Sequence, residues 1–356
     1  MKKILFVTNH LQYSDGVARA LVGFANVLAQ SGYEVTVMPV FIYDSAFAKE
    51  FCPDVKIKKM FGGYFKGLSK IVGILPQKAL YGHYVKDEYD IEVAFQYGIP
   101  TKMIAASKNK NALKLAWMHG YGEDHLIDHE KFDKIVSCSK SNAEEYKEVF
   151  KFPERVTHLY NLIDDKEITE KSQAQINIEK NGKFTFCSVG RLSPEKGFLR
   201  LIKCHEKLIE EGLDNNLWII GGGSEAQVLQ NYVAEHDLGG GVVLTGQDNN
   251  PYKYIKQSDV FVCSSYREGF STVCTEAAIL GKAIITTEVG GAKELVADNH
   301  IGIMTANTDE ALYEGMKSVL LDPRQLSAYV DNIGKIPDLR FEDRKKEVLE
   351  FFGALG

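Results

Sequence analysis

The feature that most limits what this chain can fold into is an alternation of strand, loop, helix and strand that begins twice. Ile4–Val7 is a short apolar run that reads as a buried strand. A loop over Thr8–Gly16 leads into apolar Ala18, Leu21, Val22, Ala25, Leu28 and Ala29, spaced by threes and fours as on one helix face. Gly32 ends that helix, and Glu34–Val40 supplies the next strand. Short connections of this kind make a right-handed βαβ unit, the start of a parallel sheet. Apolar runs at Ile91–Phe95, Leu113–Met118 and Lys134–Cys138 extend the series.

The second series starts with a strand at Phe184–Val189 and a helix at Glu195–Glu211. Leu217–Ile220 follows as a strand, then a helix from about Ser224, and strands at Val242–Leu244, Val260–Cys263 and Ala283–Thr286. Between the two series, Asp164–Gly182 is polar and poor in large apolar residues, which suits a linker. A chain of 356 residues also favours two domains over one. The expected architecture is therefore α/β, with two doubly wound Rossmann-like domains facing across a cleft. The expected boundaries are 1–165 and 166–340.

Composition narrows the function. The net charge of −6 gives no reason to expect a nucleic-acid partner. The six cysteines form no C-x-x-C pair and mostly sit in apolar runs, as expected of reduced, buried thiols. The apolar run at the N-terminus stops after Val7, short of the roughly 7–15 residues a signal peptide needs. No stretch approaches the roughly 18 apolar residues of a spanning helix. A cytoplasmic protein is expected, with contact at the inner face of a membrane left open.

Open parallel sheets bind ligands beyond the carboxyl ends of their strands. Two motifs sit at such ends. Gly190-Arg191-Leu192-Ser193-Pro194-Glu195-Lys196-Gly197 follows Phe184–Val189 directly. Gly190 permits a tight turn, and Arg191 and Lys196 offer a planar fork and a mobile point charge, which suit a diphosphate. A plain strand-to-helix turn with two solvated charges explains that octapeptide equally well. The second motif, Glu268-Gly269-Phe270-Ser271-Thr272-Val273-Cys274-Thr275-Glu276, decides between them. Gly269 and Ser271 leave backbone N–H groups at a helix start, where anions bind. Glu276 can accept from the vicinal hydroxyls of a ribose and Glu268 from hexose hydroxyls. Carboxylates around an anion site repel a bare phosphate, so the spacing favours a nucleotide sugar.

At this point the chain resembles family 4 of the retaining glycosyltransferases, which have the GT-B fold. The resemblance runs through the Asp15-Gly16 loop, Arg19, His119, Asn161-Leu162-Ile163-Asp164, Gly190–Gly197, Gly221–Glu225 and Glu268–Glu276. It implies that Arg191 and Lys196 bind the diphosphate, Glu276 the ribose and Glu268 the transferred hexose. Gly16, Gly190, Gly222, Gly269, Phe270, Ser271 and Thr272 are carried over as donor-binding positions. Arg191, Lys196, Glu268 and His119 are carried over as catalytic ones. Ser271-Thr272 stands where many mannosyltransferases have a Gly/Leu-Pro pair, which favours a UDP-hexose. The resemblance also implies same-face attack, with the leaving diphosphate assisting deprotonation of the acceptor, and no residue is assigned as nucleophile. The last segment, 341–356, helical in pattern over Phe341–Phe352, is expected to pack back on the first domain.

Other residues are weaker signals. His119 alone reads as a satisfied histidine at a strand end; the resemblance turns it toward the donor sugar or the acceptor. His125 and His129 lie four apart beside Asp124 and Asp128, yet a solvated polar turn outweighs a metal site. No cofactor and no metal are expected. Gly221-Gly222-Gly223-Ser224 either approaches the nucleotide or is a simple turn with Ser224 as helix cap.

Val55–Lys86 holds seven lysines and no acidic residue, interleaved with bulky apolar side chains. An anionic membrane surface is one expected partner for 55–86; an amphipathic helix packed on its own domain is the equal alternative. The expected activity is retaining transfer of a hexose or N-acetylhexosamine from a UDP-sugar to a glycan or lipid-linked acceptor. Capsule, exopolysaccharide or teichoic-acid precursors are the product class. A UDP-sugar epimerase of related fold and a non-catalytic sugar-nucleotide-binding protein stay open as alternatives.

Overall fold

A computed structural model describes residues 1–12, 16–120 and 128–355. The chain divides into two units, Met1–Ile163 with Glu342–Gly356, and Asp164–Phe341. In the first unit, strands β1 (Lys3–Leu11), β2 (Glu34–Tyr43), β3 (Lys56–Ile57), β4 (Ile91–Ala94), β5 (Leu113–Met118), β6 (Lys134–Ser137) and β7 (Val156–His158) form one sheet. Its order is β3-β2-β1-β4-β5-β6-β7, parallel throughout. The second unit contains β8 (Phe184–Val189), β9 (Asn215–Ile220), β10 (Val242–Leu244), β11 (Val260–Cys263), β12 (Ala283–Thr287) and β13 (Gly302–Thr305). They are ordered β10-β9-β8-β11-β12-β13, again parallel. Strand order reverses beside β1 and β4 in one sheet and beside β8 and β11 in the other. At such switch points the chain leaves two neighbouring strands toward opposite faces and opens a crevice.

Each sheet is held by the helices that the apolar spacing predicts. The helix Phe198–Glu210 buries Phe198, Leu201, Ile202, Cys204 and Leu208 against Phe186, Leu217 and Val260 of the sheet. Each large apolar side chain so buried contributes about 1.5–3 kcal/mol. In the first unit Phe24 meets Trp117 at 4.6 Å and Phe95 at 5.9 Å between ring centroids. The helix Phe341–Ala354 joins that core through Phe352, 6.4 Å from Phe6. Its buried Arg344 donates to the Asn161 carbonyl at 2.7 Å.

Several local expectations are corrected. Thr8–Leu11 continues β1 instead of starting a loop, because Thr8, His10 and Leu11 pair with Pro39, Ile42 and Tyr43 of β2. Part of the expected linker is the helix Asp165–Lys171, capped when Asp164 accepts the Glu167 N–H at 2.9 Å and anchored by buried Ile168. The helix after β9 starts at Ala226, and Ser224 does not cap it. There the Glu225 N–H donates to the Leu192 carbonyl, tying the chain to the loop after β8. Strands β3, β7 and β13 span only two to four residues and were not anticipated. All six cysteines are free thiols, with Cys52 half-buried and the rest buried.

Candidate functional site

β8 and β11 are hydrogen-bonded neighbours, with Phe186 opposite Val260 and Cys187 opposite Phe261. Both sequence motifs leave the sheet at this switch point. After β8, Pro194–Lys196 makes a single 3-10 turn and Gly197 turns the chain into the next helix with φ of 66°. A Cβ on Gly197 would lie 2.3 Å from the Ser264 carbonyl oxygen, so only glycine lets the two loops touch. Arg200, buried one turn later, locks that contact. Its Nε and Nη2 donate to the Ser264 and Ser265 carbonyls, each at 2.7 Å, and its Nη1 to Asn307 Oδ1 at 2.9 Å. The guanidinium also sits 3.8 Å from the Tyr266 ring centroid.

The loop after β9 completes the wall. A Cβ on Gly221 would fall 1.9 Å from the Gly190 carbonyl oxygen, whereas one on Gly190 would meet nothing closer than 3.4 Å. The glycine that permits this close approach is therefore Gly221. Gly222 accepts the Leu192 N–H at 2.9 Å and holds the two loops side by side.

Within this frame Lys196 Nζ donates to Glu268 Oε1 at 2.6 Å, and the Ser265 hydroxyl donates to the same oxygen at 2.7 Å. The side chains are 24% and 11% exposed, enough to meet a ligand and dry enough for the charges to matter. Burial opposes the Lys196 ammonium, but Glu268 outweighs it and raises the amine above its ordinary range. Arg191 behaves differently. It is exposed and pairs with Glu195 at 3.0 Å, so Arg191 and Lys196 each have their own carboxylate. The Ser193 hydroxyl first, with Arg191 assisting, holds Glu195 below the usual carboxylate range.

The helix Thr272–Ile279 starts from Ser271, whose hydroxyl accepts the Cys274 N–H at 3.4 Å. Phe270 is buried, its ring against Gly291, and Thr272 is half-buried at the first helical position. Glu276, 9% exposed, accepts from the Tyr252 hydroxyl at 3.3 Å. Carboxylates thus flank the helix start, one balanced by a lysine and the other hydrogen-bonded by a phenol.

His119 belongs to the first unit, immediately after β5. Its ring lies 4.7 Å from that of Phe95, and its Nε2 is covered without a hydrogen-bond partner among the described residues. Burial lowers the imidazole to about 4, so it is neutral near pH 7. Gly16 opens the helix Gly16–Gln30 beyond β1, while Asp15 lies outside the described residues. His125 and Asp124 also lie outside them. His129 stacks on Phe150 at 4.8 Å and accepts the Lys151 N–H at 3.3 Å, a packing role. Among the described residues no three metal-ligating side chains converge.

Sequence reasoning missed Arg200, Ser265, Tyr252 and Asn307. Arg200 did leave a signal, a charge on the margin of an otherwise apolar helix stripe, four residues before buried Cys204. The other three come from separate loops and helices and leave none.

Residues 169–335 match the family described as glycosyl transferases group 1. The Campylobacter jejuni N-acetylgalactosamine-N,N'-diacetylbacillosaminyl-diphospho-undecaprenol 4-alpha-N-acetylgalactosaminyltransferase is 34% identical over 202 residues, 56% of this chain. The match spans about half, 54%, of that relative's length. An uncharacterized glycosyltransferase of Haemophilus influenzae is 24% identical over 344 residues, 91% of this chain and 92% of its own. Among solved structures, Anabaena HepE in complex with UDP and glucose is similar with a TM-score of 0.79 at 17% identity, covering 99% of this chain and 100% of that one. The likeness to group 1 glycosyl transferases thus falls on the second unit, where the switch-point site lies, and the fold of the chain is GT-B, two Rossmann-like domains each on its own parallel sheet.

Proposed function

We propose that this protein transfers a hexose or N-acetylhexosamine from a UDP-sugar to a lipid-linked precursor of a cell-surface glycan, with retention at the anomeric carbon. The observation that carries the reading is the Lys196–Glu268 pair, 2.6 Å apart at the β8–β11 switch point, with Glu276 on the adjoining helix. Lys196 has two further ammonium protons for a diphosphate oxygen, and Arg191 can leave exposed Glu195 to add a second cation. Glu276 takes the ribose hydroxyls, and Glu268 the hexose. Gly190, Gly222, Gly269, Phe270, Ser271 and Thr272 shape the floor on which the donor lies.

These groups stabilise negative charge as it develops on departing UDP, the usual largest contribution in such a transfer. Retention then follows from attack on the face the diphosphate leaves, with the diphosphate taking the acceptor proton. Neutral His119 serves as a hydrogen-bond partner and not as a proton donor. The cationic side chains carry the load a metal ion carries elsewhere, so turnover is metal-independent. The name of the Campylobacter relative includes a diphospho-undecaprenol acceptor, and a Staphylococcus aureus relative, CapM, is named for capsular polysaccharide biosynthesis. The first name supports a lipid-linked acceptor, and the second a cell-surface polysaccharide as the product class.

Labelled UDP-glucose, UDP-galactose and UDP-N-acetylglucosamine, each incubated with a bacterial lipid extract, test the proposal. Label in the lipid fraction, unchanged by chelator, supports it. Epimerised donor, or binding without turnover, contradicts it.

A further inference from the structure

The lysine-rich segment of the first unit is sorted by the structure into paired and unpaired charges. Lys56 pairs with Glu34 at 2.5 Å, Lys58 with Asp87, and Lys86 donates to the Gly82 carbonyl at 2.8 Å. Lys59 lies 5.6 Å from the Tyr43 ring centroid. Lys66, Lys70 and Lys78 are exposed and have no carboxylate partner among the described residues.

The apolar residues divide as sharply. Met60, Leu68, Val72, Leu80 and Tyr81 enter the core of the unit. Tyr64, Phe65, Ile71, Ile74 and Leu75 stay outside, 50, 56, 48, 84 and 42% exposed. Fourteen large apolar side chains are exposed among the described residues, and these five fall within twelve consecutive positions while the others are scattered. Single exposed apolar residues are ordinary; a cluster is not.

The helix Leu68–Ile74 explains the division. Leu68 and Val72, four apart, face the core, Ile74 lies on the far side, and exposed Ile71 and the C-cap residue Leu75 flank the buried stripe. Its carbonyl end is closed, because Gln77 Nε2 donates to the Val72 and Leu75 carbonyls at 3.0 and 2.9 Å. Each carbonyl satisfied in this way lowers the cost of bringing the helix end against an apolar medium. We infer that residues 64–78 dock on an anionic lipid surface. Phe65, Ile71, Ile74 and Leu75 enter the boundary between headgroups and acyl chains, and Lys66, Lys70 and Lys78 lie on lipid phosphates.

Charge separates this occupant from a second copy of the chain. Patch against patch about a two-fold axis would set lysines against lysines, and the sequence from Val55 to Lys86 has no carboxylate to answer them. A layer of phosphates answers all three. The inference goes beyond sugar transfer, concerns the first unit alone, and holds whether or not the second binds UDP.

Sedimentation of the full chain with vesicles, without donor or acceptor, tests it. Binding to phosphatidylglycerol-containing vesicles that weakens with salt and is slight on pure phosphatidylcholine is the expected result. Replacing Lys66, Lys70 and Lys78 together by Glu lowers the partition coefficient by about a hundredfold or more. Ile74→Asp lowers it at low salt as well, and an Ile74→Trp variant is quenched by brominated lipid. All of these positions are exposed, so unchanged thermal unfolding verifies that the variants fold. No binding to the anionic vesicles, or equal binding by the Glu variant, overturns the inference. A dimer in sedimentation velocity that Ile74→Asp dissociates, without vesicle binding, overturns it in favour of self-association.

Discussion

Lys196 and Glu268 stand 72 positions apart in sequence and meet at 2.6 Å, each carried by a loop that leaves one of the two central strands of the second sheet. The pair is mostly dry, so its members depend on each other more than surface ions do. Removing one partner of such a pair costs more than the pair itself contributes, since the other charge is left uncompensated.

Lys196→Ala should lower kcat/KM by about 10²–10³-fold by removing a cation from the leaving diphosphate. It should also lower stability, by about 1–3 kcal/mol, because Glu268 is stranded. Glu268→Gln keeps the shape and the Ser265 hydrogen bond, and should lower turnover with little loss of UDP affinity. A double-mutant cycle in urea unfolding separates the two effects: the coupling energy between the positions should exceed about 0.5 kcal/mol.

Gly221→Ala should be severe and Gly190→Ala mild. The added methyl falls 1.9 Å from a backbone oxygen in the first and has ordinary contact distances in the second. A loss of about 2–4 kcal/mol for Gly221→Ala against less than about 1 kcal/mol for Gly190→Ala is expected from denaturant midpoints.

Arg200→Met should cost about 2–4 kcal/mol, since the buried Ser264 and Ser265 carbonyls lose charged donors together. Arg200→Lys should not restore it, because one ammonium cannot reproduce a fork that reaches three acceptors. As Arg200 sets the register of both loops, UDP affinity should fall along with stability in both variants.

His119 provides the pH dependence. Its folded value, about 4, lies below the ordinary 6.5, so the fold favours the neutral ring. The stability this contributes is fully present above 6.5 and is lost as pH falls through about 4. His119→Gln should remove that part of the wild-type stability curve. NMR titration of the ring carbon should give a midpoint near the lowered value.

The parallel sheets were readable because each central strand is a short apolar run and each following helix shows its buried stripe, as in Phe184–Val189 and the helix Phe198–Glu210. Lys196 and Glu268 were readable because both lie just past strand ends. Their mutual ion pair was not, since proximity across 72 positions depends on β8 and β11 pairing. Arg191 illustrates the same limit: the sequence places it beside Lys196, while the structure gives it to Glu195. The approach of Gly221 to the Gly190 carbonyl was not readable, because it involves two backbones and sequence displays only one at a time.

The account rests on a UDP-sugar site at the β8–β11 switch point, and calorimetric titration of UDP into the wild-type protein and three variants tests it most directly. UDP should bind the wild type, bind Lys196→Ala and Glu276→Ala at least about tenfold more weakly, a loss of 1.4 kcal/mol or more, and bind His119→Ala within about twofold of wild type. Absence of UDP binding to the wild type, or equal affinity in the Lys196 and Glu276 variants, would contradict it.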